Sequence, residues 1–95
     1  MSKDSNTVYI GQKPTMNYVL AVLTHINTKN AKEVTIKARG QAISAAVDVA
    51  EIVNKRFMKE LGVSNISIGT EEMPPREGEN KYRKVSTIEI TMTKQ

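Results

Sequence analysis

Cysteine and tryptophan are absent from this 95-residue chain, and histidine and phenylalanine each occur once. Without cysteine there is no disulfide scaffold and no thiolate metal site. No run of apolar residues approaches the roughly 18 that a membrane-spanning helix needs. The first residues, MSKDSNTV, lack the apolar stretch of a secretory signal, so an intracellular, cytoplasmic location is expected. The motifs GxxxxGK[ST], GxGxxG and HExxH do not occur.

Catalytic groups are equally scarce. His25 has no acidic residue three or four positions away to orient it, which fits a surface or packing histidine. Glu71 and Glu72 adjoin a flexible segment and lack an acid–base partner, which fits a solvated charge run. Neither enzymatic activity nor a cofactor is expected.

What is present is a single domain's worth of chain with a basic bias. Lys and Arg total 14 against 10 Asp and Glu, for a net charge of +4. Such a balance favours acidic partners, and the placement of the cations decides which.

Residues 1–6 form an expected mobile tail. Val8 and Ile10 flank Tyr9 in alternation, predicting a short strand. Pro14 suits a first helical position, and Met16, Val19, Leu20, Leu23 and Ile26 recur at helical spacing until the polar cluster Asn27–Asn30. In EVTIKARG, Val34, Ile36 and Ala38 alternate with Thr35, Lys37 and Arg39, predicting a half-buried strand with a basic outer face. Gln41–Leu61 carries the longest helical pattern, which Leu61-Gly62 should end. Its apolar face exceeds the stripe of about 100° that covering one sheet requires. A second packing partner is implied, most simply another copy of the chain. Strands are predicted around Ile66 and Ile68 and at Val85–Thr93. Glu71–Lys84, with two prolines and a glycine, should be a mobile hairpin arm. The order β-α-β-α-β-β predicts an α+β fold, a single domain spanning 1–95.

Three basic elements stand out. Lys13 lies in the turn before the first helix, beside Gln12. Lys37 and Arg39 run into Gly40, Gln41 and the second helix. Arg76, Lys81, Arg83 and Lys84 lie on the arm. A helix start carries the positive end of a dipole, so a lysine there calls for an anion. If the first two strands are parallel, both strand-to-helix turns open on the same sheet edge, and free N–H groups could share one anion site. Asn17 and Tyr18, in the first turns of helix one, are candidates beside that surface. Tyr18 and Tyr82 are candidate stacking groups, although Tyr18 also suits helix packing. Phe57 suits either the core or an exposed contact.

Three blocks in order, GQKPTMNYVLAVLT, VTIKARGQAISAAVDVAEIVNKRF and VSTIEI, resemble the Alba family of archaeal chromatin and RNA-binding proteins. The resemblance covers Val8 to Lys94. It implies a two-layer fold like the C-terminal domain of bacterial translation initiation factor three. It implies a homodimer that binds double-stranded DNA and also RNA, mostly without sequence preference, and that coats and compacts chromosomal DNA. The main alternative is a protein acting chiefly on RNA, as a chaperone or ribonucleoprotein subunit. By position, Lys13 and Arg39 belong to the family's body contact, Arg76, Arg83 and Lys84 reach along the minor groove, and Phe57 joins dimers side by side on DNA. Two positions depart. The family often has two lysines before the proline, and acetylation of the first is associated with weaker DNA binding; here that position is Gln12. Gln41 stands where the family often has arginine.

Overall fold

The computed structural model describes residues 6–95. The tail expected over residues 1–6 therefore lies, except for Asn6, outside the described residues. The elements are β1 (Thr7–Tyr9), α1 (Thr15–Lys29), β2 (Glu33–Arg39), α2 (Ile43–Ile52), β3 (Leu61–Met73) and β4 (Arg83–Lys94). One four-stranded sheet has the order β1-β2-β4-β3. β1 runs parallel to β2, while β4 is antiparallel to both β2 and β3.

The two helices cover one face of this sheet. Val19, Val22 and Ile26 of α1 and Ala46, Val49 and Ala50 of α2 pack on Val34, Ile36 and Ala38 of β2 and on Ile90 and Met92 of β4. Fully burying each large aliphatic chain contributes about 1.5–3 kcal/mol. The i, i+3, i+4, i+7 spacing of α1 exists to present this stripe. Asn30, in the left-handed conformation at φ 50°, ends α1. Asparagine tolerates that geometry better than most residues.

The second helix departs from expectation. It was expected to run from Gln41 to Leu61. Instead Gly40–Ala42 form a 3-10 turn, α2 is helical only to Ile52, and Val53–Phe57 form a π turn. The Met58 N–H donates to the Val53 carbonyl at 2.7 Å. The Asn54 side chain donates to the carbonyls of Lys59 and Leu61, at 3.2 and 3.0 Å. An amide side chain that captures downstream carbonyls competes with continued helix. Leu61 is thereby the first residue of β3 and fully buried, rather than a helix stop.

The arm is also shorter than expected. Glu71–Met73 and Arg83–Val85 stay in register as paired strand. Only residues 74–82 lie outside the ladder, where Pro74 and Pro75 offer no N–H to continue it. The long axis, 46 Å against 28 and 20 Å, reflects this extended hairpin.

β3 is an edge strand. Val63, Ile66 and Ile68 lie opposite Met92, Ile90 and Ile88, on the helix side of the sheet. The helices do not reach them: their exposures are 43%, 57% and 80%. A bulge between Val63 and Asn65 shifts the register by one residue. Ser64 fills it, its hydroxyl 2.7 Å from Thr93 Oγ1.

Candidate nucleic-acid interface

Parallel pairing of β1 and β2 places the β1–α1 and β2–α2 turns at one sheet edge. Gly40 makes the second turn at φ 59°, a left-handed conformation that glycine adopts without a steric cost. Neither α1 nor α2 has a side-chain cap or an acidic residue in its first turn. Both positive dipole ends are therefore uncompensated.

The two turns meet the root of the arm in a groove of about 880 Å³. Gln12, Arg39, Gln41, Arg76 and Arg83 all line it. Three arginines thus line a groove that also takes in the β1–α1 turn and the start of α2. The Nε of Arg83 is buried without a hydrogen-bond partner, which is costly unless a ligand completes it.

The other candidate residues lie elsewhere. Lys13 is exposed in the first turn, next to Gln12 but outside the groove wall. Asn17 is exposed on α1, its N–H donating to the Pro14 carbonyl at 2.9 Å. Tyr18 is half-buried, and its hydroxyl accepts from the N–H groups of Gly11 and Lys13 at 2.9 and 3.0 Å. It shapes the turn through its hydroxyl, a role that sequence alone did not single out. Lys81 lines a small hollow near the arm tip with Glu79 and Asn80. Lys84 is exposed opposite Glu72, and strand alternation points it to the face opposite Arg83. Tyr82 is 64% exposed on the arm.

Lys37 and Arg39 are not open cations. Both stand on the sheet face away from the helices. Lys37 Nζ is 4.0 Å from Glu89 Oε2 and 6.0 Å from the centre of the Tyr9 ring. Arg39 Nη1 donates to Glu71 Oε1 at 3.2 Å and lies 3.6 Å from Met73 Sδ. Glu71 and Glu72 point to opposite faces of β3, so they are not a carboxylate pair.

His25 is half-buried, and its Nε2–H donates to Asn6 Oδ1 at 3.1 Å. Burial lowers its pKa, and the nearby Lys29 charge lowers it further. Among the described residues, no cluster of three His, Cys, Asp or Glu side chains could hold a metal ion. No described helix is long and apolar enough to cross a membrane. Phe57 is 51% exposed in the single chain, so it is not a core residue there.

The chain matches the Alba family over residues 6–70. The DNA/RNA-binding protein Alba of Methanococcus maripaludis is 54% identical, over 94% of this chain and 98% of its own length. DNA/RNA-binding protein Alba 1 of Archaeoglobus fulgidus is 55% identical, over 94% and 96%. The solved structure of Alba from Thermoplasma volcanium superposes with a TM-score of 0.84 at 47% identity, covering 94% of this chain and all of that one. By sequence and by fold together, the chain belongs to the Alba family.

Proposed function

We propose that this protein binds double-stranded DNA and RNA as a homodimer, largely without sequence preference, and coats chromosomal DNA in the cytoplasm. Its role is binding, not catalysis. The observation that carries this is the groove where Arg39, Arg76 and Arg83 meet the β1–α1 turn and the uncapped start of α2. The relatives' names, which state DNA and RNA binding, support the same reading.

The mechanism is counterion release. Each phosphate neutralised steepens the slope of log affinity against log salt by about 0.9 on duplex DNA. Lys13, Arg39, Arg76 and Arg83 from both subunits allow a slope of up to about −7. None of these contacts reads a base edge, so sequence preference is weak.

The bare helix-side face of β3 supports the dimer. A long edge strand with exposed Val63, Ile66 and Ile68 needs a cover. A second copy supplies the same apolar row, as two-fold interfaces require. Val47 on α2 is likewise 43% exposed. Phe57 is left outside the sheet and available for dimers to meet side by side on DNA.

A salt series of binding to duplex DNA and to structured RNA tests this reading. Salt-dependent binding to both is the expected result. Absence of binding to either at low salt would leave a protein-interaction module as the better description.

A further inference from the structure

The end of α2 is shifted by one residue from its own pattern. Ala46, Ala50 and Val53 are buried in one stripe of this helix. Their spacing is i, i+4, i+7, and the next α-helical position on the stripe is i+11, which is Phe57. A continued α-helix would bury Phe57, yet it is 51% exposed. Met58 packs against the core instead. The backbone makes the same shift. The Met58 N–H donates to the Val53 carbonyl, five residues back, where an α-helix would pair it with Asn54. A π turn admits one extra residue, so the chain after Val53 reaches each place on the stripe one residue late.

Asn54 holds this shift. Its side-chain amide donates to the carbonyls of Lys59 and Leu61, at 3.2 and 3.0 Å. In a continued α-helix Leu61 would lie about 10 Å further along the axis, out of reach of that amide. We propose that Asn54 is a positioning residue for assembly on DNA: its amide selects the π register, and that register turns Phe57 outward to meet a neighbouring dimer. The inference rests on the side-by-side role proposed for Phe57. π turns are rare in helices and frequent at functional sites, which fits a register kept for what it exposes. Without the amide, the α register returns Phe57 to the stripe and the contact between dimers is lost.

Two variants remove the amide and favour continued helix: Asn54→Ala, and Asn54→Leu, which keeps the side chain's size. The chain has no tryptophan, so Phe57→Trp reports on this position alone. By itself the reporter should fluoresce as an exposed indole. Combined with Asn54→Ala or Asn54→Leu, its emission should shift to the blue and acrylamide should quench it less. On long DNA, wild type should bind cooperatively, and Phe57→Ala and both Asn54 variants should lose that cooperativity. Asn54→Ala added to Phe57→Ala should cause no further loss, because both changes remove the same contact. Affinity for a duplex too short for two dimers should stay unchanged, which also shows that each variant is folded. The inference is overturned if the reporter stays exposed in both Asn54 variants. It is equally overturned if they keep the cooperativity that Phe57→Ala loses, or if both lose short-duplex affinity as well, since Asn54 would then serve the whole fold. If Phe57→Ala binds long DNA as cooperatively as wild type, the side-by-side reading fails and takes this inference with it. A loss in Phe57→Ala with none in the Asn54 variants sinks this inference alone.

Discussion

Arg39 Nη1 and Glu71 Oε1 stand 3.2 Å apart, tying the end of β2 to the root of the arm. Both side chains are more than half exposed, 57% and 55%, so the pair stabilises the fold little. Its effect falls on ligand binding, because a phosphate must compete with Glu71 for the guanidinium. Glu71→Gln should therefore raise duplex affinity several-fold at low salt and steepen the salt slope by up to about 0.9 per subunit. The melting temperature should stay nearly constant. Anisotropy titrations at several salt concentrations measure both quantities; an unchanged slope would mean that Arg39 does not reach phosphate.

Gln12 offers a second handle on the same groove. It is exposed, neutral, and lines the wall that the start of α2 also borders. Gln12→Lys should add one phosphate contact per chain, two per proposed dimer, and steepen the salt slope by up to roughly 1.8. Gln12→Glu should weaken binding. An unaltered slope in Gln12→Lys would place this turn away from the nucleic-acid backbone.

Ile68 tests the proposed dimer. At 80% exposure it contributes almost nothing to the single chain's core. Ile68→Lys should leave the subunit folded but bury a charge at the β3 face of the dimer. Sedimentation should then shift from a dimer towards the 10.6 kDa monomer. An intact dimer in this variant would move the interface elsewhere.

The His25 pKa lies below the ordinary value of 6.5, because burial and Lys29 disfavour its charged form. The unfolded chain therefore binds the proton more readily than the folded one near and below pH 6.5. The sign follows: stability from this group is full above about 6.5 and is lost as pH falls through the folded value. Melting temperature should decline between pH 7.5 and 5.5, and the decline should be smaller in His25→Gln. Equal declines in both proteins would assign the effect to other groups.

Much of the fold was legible because local patterns and tertiary packing agree. The alternation of Val34, Ile36 and Ala38 names a buried face. On α1 the spacing named Val19 and Ile26 correctly, but Val22 completes the buried stripe, while Met16 and Leu20 are 42% and 57% exposed. Pro14 and Asn30 mark the limits of α1 by their backbone preferences. The end of α2 was not legible, because Asn54 reads as an ordinary polar position within a continuing helical pattern. Only in three dimensions does its amide find the carbonyls of Lys59 and Leu61. The site divided along the same line. The meeting of two turns at one edge follows from chain order and parallel pairing. The partners of Lys37 and Arg39 do not, since Glu89 and Glu71 lie far along the chain and arrive by strand register. Tyr18 carried a signal, a tyrosine seven residues after Gly11, but nothing in one sequence says that its hydroxyl folds back to the turn.

The bulge at Ser64 has a consequence of parity. A strand has two faces, and the count of residues decides which side chain meets which. Leu61 must enter the core, while Ile66 and Ile68 must face the helix side at the bare edge. Ser64 is the one residue that makes the count odd. Removing it would keep every apolar side chain yet turn either Leu61 out of the core or the isoleucines onto the polar face. No substitution nearby could do the same damage so economically. Between Leu61 and Ile66, changes of length should be borne in twos and refused in ones.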